Sequence, residues 1–283
     1  MRILVAVDGS DESLYAARAV EHFSHAEQVT IVHAVDIPLL AYPFISYDFS
    51  LNLEQTMREE GARLLDRVAS LPLMDNGPVS KRIEKGPPAE VILVAAEKDK
   101  ADLIVLGSRG LGPVKELLLG SVSHHVVTHA PCPTLVVNRP LRSLRHILLA
   151  VQGPEDAAAM TAFLATHPFR KPVRITVLTA LPFDQPLFHA GLAKKAPLLE
   201  SYTSSWRSFA EKVVADLSAL QFRAKERILI GAPALAILEE AAASKADLIL
   251  MGSHGRRGLT RFLLGSVSHS VLHRSPCPLL IVR

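Results

Sequence analysis

The sequence predicts an α/β protein built as two tandem, doubly wound parallel sheets of five strands each. Three observations predict it. Short apolar runs of strand length alternate with longer segments of helical spacing, the order that parallel strands with right-handed crossovers produce. The two halves repeat one another: Ala101–Asn138 set without gaps against Ala246–Arg283 agree at 20 of 38 positions. Hydrophobic residues make up 49% of the 283, and the mean hydropathy is +0.24, an excess expected of strands buried on both faces.

The elements of the first half follow in order. Ile3–Asp8 is a short apolar strand. "SDESLYAARAVEHF" opens with capping residues and continues with helical spacing. Val29–Val35 is a second strand, Leu53–Leu71 a long amphipathic helix, and Ser80–Gly86 a third strand with a weaker pattern. "PPAEVILVAAEKD" starts a helix with Pro where the missing N–H is not needed. Leu103–Leu106 is a fourth strand, Ser121–His129 a helix and Thr134–Val137 the last strand. "ILVAVDGSDES" from Ile3 recurs as "ILLAVQGPEDA" from Ile147, so the offset is 144 early and 145 late. A period this long means two domains and not a solenoid. The expected domains are 1–140 and 145–283, joined by the polar, basic link within "NRPLRSLRH".

Composition narrows the function. The net charge of +3 comes with no long basic run, so nucleic acid is not an expected partner. No apolar run reaches the ~18 residues of a membrane helix, and "MRILVAVDGS" is too short and acid-ended for a signal peptide. The two cysteines, Cys132 and Cys277, sit in matching Pro-Cys-Pro contexts. They read as repeated core positions in a reduced, cytoplasmic setting.

One spacing occurs twice: "GSRGLGPVKELLLGS" from Gly107 and "GSHGRRGLTRFLLGS" from Gly252. Each is Gly-x-x-Gly, nine residues, then Gly-Ser. Gly107 follows the fourth strand, on the edge where open α/β sheets bind ligands. Gly107 and Gly110 are expected to let the backbone approach a ligand or adopt a positive φ. Gly120-Ser121-Val122-Ser123 opens a helix, whose N–H groups and dipole, with the hydroxyls of Ser121 and Ser123 as further donors, suit phosphates. The nine residues between are expected to arch over the ligand. Ordinary turn and cap chemistry accounts equally well for glycines after a strand and Ser before a helix, and duplication copies structural and functional residues alike.

With these landmarks in order, along with "HAVD" at His33–Asp36, "GPPAEVIL" at Gly86 and "PCPTLVV", the chain resembles the universal stress protein family over essentially its whole length. The resemblance implies an adenine nucleotide alpha-hydrolase-like fold with strand order 3-2-1-4-5. It implies binding of ATP, or of AMP or ADP, and pairing of domains through the last strand. In a tandem chain the two halves can supply that pairing internally, with a homodimer as the alternative. By the family's motif, Asp8 contacts ribose, phosphates or a bound Mg²⁺, and Ala6 and the Ala34 backbone line the adenine. Leu106, Gly107 and Gly110 border ribose and phosphates, and Gly120, Ser121, Val122 and Ser123 cradle the phosphates.

The second half departs from that pattern. Gln152 stands at the position of Asp8, Pro154 at that of Ser10 and Ala180 at that of Asp36. Met251, Gly252, Gly255, Gly265, Ser266, Val267 and Ser268 keep the phosphate half. Gln supplies no carboxylate to Mg²⁺, so the first domain is the expected competent site. Arg256, Arg257 and Arg261 are candidate phosphate contacts in the second half, with solvated loop charges the favoured reading. His125/His129 and His269/His273 have i, i+4 spacing but no obvious third ligand, so solvated or core-edge histidines are expected and not a metal site. The loops beginning at Ile37 and Leu181, rich in Pro and aromatics, are candidate lids or partner surfaces.

Three functions compete: a nucleotide-binding stress sensor or regulator, a slow ATPase or phosphotransferase, and a scaffold with degenerate pockets. Asp8 is the sole acidic candidate that the motif supplies and no arginine finger is evident, so at most weak ATP hydrolysis is expected. The intact glycines argue against the scaffold for the first domain, and the sensor is the leading reading.

Overall fold

The computed structural model describes residues 1–37, 47–71, 77–110, 119–182, 196–253 and 264–283. It divides into two compact units, Met1–Arg142 and Ser143–Arg283.

In the first unit the order is β1 (Arg2–Ala6), α1 (Asp11–Ala19), β2 (Gln28–Val35), α2 (Tyr47–Ala69), β3 (Val79–Lys85), α3 (Pro88–Lys98), β4 (Leu103–Gly107), α4 (Ser121–His129) and β5 (Thr134–Val137). The strands lie as β3-β2-β1-β4-β5, all parallel. Ala6 of β1 stands opposite Val32 of β2 on one side and Leu106 of β4 on the other. The chain leaves β1 toward β2 and returns from β3 to β4, so strand order reverses between β1 and β4. The carboxyl ends of those two strands, with Asp8 and Gly107, meet at that switch point.

Burial follows the sheet. Ile3, Leu4 and Val5 of β1 and Leu103, Ile104 and Val105 of β4 are at most 1% exposed, which is why both read as unbroken apolar runs. β3 is an edge strand with charged residues along it. Lys81 and Arg82 pair with Asp66 of α2 and Asp99 beyond α3, both at 2.6 Å. Charges on an edge discourage pairing with another chain.

Local signals explain the helices. Ser10 caps α1 by accepting from the Ser13 N–H at 3.2 Å, and α1 tightens at its end into a 3-10 turn, Val20–His22. α3 starts with Pro in its first turn and ends at Lys98, and Lys100 just beyond its C-cap has φ 49°. The equivalent Lys245 in the second unit has φ 51°, so the duplication preserves a left-handed exit without Gly.

The second unit runs β6 (His146–Ala150), α5 (Pro154–Ala165), β7 (Arg174–Leu181), α6 (Ala196–Ala219), β8 (Arg223–Ile230), α7 (Pro233–Ala243), β9 (Leu248–Gly252), α8 (Ser266–Arg274) and β10 (Leu279–Val282). Its strands are parallel in the equivalent order, β8-β7-β6-β9-β10. Cys132 and Cys277 are buried free thiols.

Two sequence expectations are corrected. α2 begins at Tyr47, six residues before the expected Leu53, and α6 takes in Ala196–Tyr202. The ends of both long loops are therefore helical. The remainder of those loops, 38–46 and 183–195, lies outside the described residues, as does the expected arch at 111–118. Among the described residues no helix is long and apolar enough to cross a membrane.

Candidate functional site

The turn after β1 is locked by its own side chains. Gly9 has φ 90°, which a side chain would resist. Asp8 Oδ1 accepts from the Ser10 N–H at 3.0 Å and the Ser10 hydroxyl at 2.6 Å. The Ser13 hydroxyl donates to Ser10 O at 2.9 Å. Asp8 is thereby held at the carboxyl end of β1 by the residues that also cap α1.

The motif glycines face the protein. A Cβ built on Gly107 would stand 2.8 Å from both Glu12 C and Ser13 N, so Gly107 is what lets the backbone of α1 cross β4 closely. A Cβ on Gly110 would stand 2.3 Å from Asp8 Oδ2. The positive φ expected of them is not seen; a packing reason is present beside their place on the cavity wall.

The start of α4 is open where that of α1 is closed. Its N-cap is Gly120, which offers no side-chain oxygen. Gly120 N–H donates to Ser108 O at 2.8 Å, and the first intrahelical bond is that of His124 N–H to Gly120 O at 3.0 Å. The N–H groups of Ser121, Val122 and Ser123 are the orphan donors that a helix start leaves. The Ser123 hydroxyl, expected from the spacing as a further ligand donor, is engaged within the protein. It is buried and donates to Gly107 O at 2.7 Å, fastening α4 to β4.

Between these parts lies a cavity of about 400 Å³. All ten residues expected at the first site line it: Ala6, Asp8, Ala34, Leu106, Gly107, Gly110, Gly120, Ser121, Val122 and Ser123. Val32, Pro88 and Ile92 add apolar wall, with Pro88 and Ile92 one turn apart on α3. His33 also lines it and donates from Nδ1 to Val7 O at 2.8 Å, since a carbonyl only accepts. A Cβ on Gly61 of α2 would come within 2.6 Å of that ring, which explains a glycine in mid-helix.

Arg109 is a lining residue that the sequence did not single out. Its guanidinium lies 2.6 Å from the Glu12 carboxylate on the first turn of α1. Nothing in the sequence couples two residues 97 apart. Pro88 and Ile92 could have been found from their i, i+4 spacing next to the motif's strands.

In the second unit the hydrogen bonds around the start of the last helix repeat those of the first. The Ser268 hydroxyl donates to Gly252 O at 2.8 Å, and Gly265 N–H to Ser253 O at 2.8 Å. α8 starts from an uncapped Gly265, followed by Ser266 and Val267, and Met251 is buried at the end of β9. Gly255, Arg256, Arg257 and Arg261 lie outside the described residues. The β6 end differs. Gln152 replaces the Asp8 carboxylate, Pro154 removes the cap, and the Gln152 N–H donates to the carboxylate of Asp156 in the first turn of α5. Burial pushes Asp156 up to about 6, against the lowering effect of that hydrogen bond, with Glu155 adding to the rise.

The His125/His129 rings stack with centroids 4.3 Å apart, and the His269/His273 rings lie tilted at 4.4 Å. Among the described residues no group of three or more His, Cys, Asp or Glu is placed to hold a metal ion.

Comparison with known proteins gives a consistent result. The model of the universal stress protein family matches residues 1–138 and again 143–283. Universal stress protein Rv2005c of Mycobacterium tuberculosis is 28% identical, covering 99% of this chain and 96% of its own length. A universal stress protein of Thermus aquaticus is 40% identical over 139 residues, which cover 48% of this chain and 96% of that one. Among solved structures, a universal stress protein from Archaeoglobus fulgidus superposes with a TM-score of 0.66 at 20% identity, covering 100% of this chain and 96% of that one, a likeness of fold.

Proposed function

The chain belongs to the universal stress protein family, and on that premise we propose that its first unit binds an adenine nucleotide and serves as a stress-response sensor or regulator, the second unit being the weaker site. The observation that carries this reading is the cavity at the β1/β4 switch point. It joins an apolar slot of Val32, Pro88 and Ile92 to the uncapped start of α4, with Asp8 and Gly107 alongside. Its volume of about 400 Å³ suits a ligand of nucleotide size.

In this reading the base lies against Ala6 and Ala34, and Asp8 meets the ribose. Leu106, Gly107 and Gly110 border ribose and phosphates, and the N–H groups from Gly120 to Ser123 hold phosphate. Asp8 is the carboxylate that would meet Mg²⁺ carried by ATP, sharing it with Ser10.

Binding is favoured over turnover. Phosphoryl transfer needs a base or metal and a cation to take up developing charge. Asp8 is the single carboxylate among the described lining residues and is held by Ser10; Arg109 is held by Glu12.

The test is nucleotide content. Protein purified without added ligand is denatured, and released nucleotide is counted per chain. The stripped protein is then titrated with ATP and Mg²⁺. About one equivalent, lost in Asp8→Ala, supports one competent unit. Two equivalents mean that Gln152 does not disable the second. No retained nucleotide and no binding leaves the scaffold reading.

A further inference from the structure

We infer that the second unit binds a small oxyanion of the phosphate or sulfate class at the amino ends of its strands, between Arg174, Lys225 and Ser244, where the first unit carries a carboxylate of its own. This corner lies at the opposite end of the strands from the nucleotide cavity and does not rest on the nucleotide reading.

Strand register fixes the comparison between the units. In the first, Arg2 of β1 stands opposite Gln28 of β2, and Thr30 and Val32 stand opposite Ser80 and Arg82 of β3. In the second, His146 of β6 stands opposite Arg174 of β7, and Thr176 and Leu178 stand opposite Lys225 and Arg227 of β8. The C-cap of α3 is Asp99 and that of α7 is Ser244. From first unit to second, Gln28 and Ser80 have become cations and the Asp99 carboxylate has become a hydroxyl.

The first corner is neutralised from within. Asp99 Oδ1 accepts from Arg82 at 2.6 Å. Both line a pocket of about 150 Å³ with Arg2, Gln28 and Thr30, room for one tetrahedral anion and below the ~300 Å³ at which small-molecule sites begin. Asp99 faces the negative end of a helix, so the corner holds an anion when a guanidinium pairs with it.

In the second corner that pairing is undone. Arg227 turns to Glu240 of α7 at 3.4 Å. Arg174 and Lys225 have no ion-pair partner among the described residues. Asp247 is taken up by backbone, its Oδ2 accepting from the Arg145 and His146 N–H groups at 2.8 and 2.9 Å. His146 is 4% exposed, and its Nε2 meets the Thr176 hydroxyl at 2.9 Å. Burial, then the charge of Arg174, holds His146 below the usual histidine range; Lys225 adds to this, and the Ser244 backbone and Asp247 oppose it. Both cations therefore act on a ring that also meets Ser244. The Ser244 hydroxyl and His146 Nδ1 are buried without a hydrogen-bond partner of ordinary geometry, a costly state that an oxyanion relieves. Protection of an edge strand asks for charge on β8 alone. It accounts neither for Arg174 on the inner strand β7 nor for the unpartnered Ser244 hydroxyl.

The experiment is NMR of the full chain titrated with inorganic phosphate, near pH 7.5 and at about 0.15 M ionic strength held constant. The readout is the His146 ring, assigned by its loss in His146→Gln. Phosphate at the starts of α4 and α8 sits at the other end of the strands, so this readout is local. The expected result is a saturable shift with a Kd of about 1 mM or tighter. Ser244→Asp, and separately Arg174→Gln/Lys225→Ser, install the first unit's residues and should each weaken binding about tenfold. Arg174 and Lys225 are exposed, so their double variant keeps its fold even where Ser244→Asp does not. AMP as a second titrant separates the sources. A response to phosphate alone assigns a free anion, and a response to both assigns the phosphoryl group of a larger ligand. No saturable shift at His146, as a water in the corner would give, overturns the proposal. So does a shift that both sets of substitutions leave unchanged. Either result leaves the nucleotide reading intact.

Discussion

Asp8 and Gly110 are packed face to face across the switch point: a Cβ on Gly110 would stand 2.3 Å from Asp8 Oδ2. Asp8, two residues beyond β1, therefore fills the space that a side chain on the second glycine of the motif would take. A side chain at 110 is accommodated only if the Asp8 carboxylate shifts.

Gly110→Ala should destabilise the first unit by about 1–2 kcal/mol, the usual cost of overpacking, and weaken nucleotide binding by displacing Asp8. Because the neighbour is a side chain, Asp8→Ala/Gly110→Ala should recover most of the stability. Gly107→Ala meets backbone of α1 instead, so Asp8→Ala should recover nothing there. Urea denaturation of Asp8→Ala, Gly110→Ala, Gly107→Ala and the two double variants gives the coupling.

Ser123→Ala removes a buried hydrogen bond to Gly107 O and leaves that carbonyl short of a partner. The expected loss is about 1–2 kcal/mol. Ser268→Ala should cost a similar amount in the second unit, where the bond to Gly252 O recurs. Ser121 is exposed, and Ser121→Ala should change stability by under about 0.5 kcal/mol. Equal effects of the Ser121 and Ser123 changes, read from thermal melting, would contradict the assignment.

Asp156 gives the second unit a pH dependence. Its folded-state value, about 6, lies above its ordinary 3.8, so the folded chain holds this proton longer than the unfolded one. Its contribution to stability is greatest below about pH 4, declines as pH rises to about 6, and is level above. The group is half-buried, and solvent screening reduces the effect to about 1 kcal/mol. Asp156→Asn keeps an acceptor for the Gln152 N–H. It should raise the melting temperature at pH 7 by a few degrees and leave it unchanged near pH 4. A difference independent of pH would contradict this account.

The fold was legible because its strands are buried on both faces, and apolar runs bounded by Gly, Pro and Asp mark such strands plainly. α4 and β5 begin and end where the spacing puts them. The start of α2 was not legible, since "SYDFSLN" carries Ser, Asp and Asn. Each costs only a few tenths of a kcal/mol in a helix, and extending an existing helix needs no new nucleus. At the candidate site the positions were legible and several reasons were not. Gly107 and Ser123 read as ligand groups, yet one admits α1 and the other fastens α4. Both reasons depend on contacts distant in sequence, as does the Glu12–Arg109 pair, and no local period encodes them.

The most direct test of the central claim is a crystal structure of the full chain grown with AMP. The account predicts the phosphate within hydrogen-bond reach of the N–H groups of Ser121, Val122 and Ser123, and the base against Val32 and Ile92. AMP bound elsewhere on the chain, with the cavity between β1 and β4 holding only solvent, would contradict it.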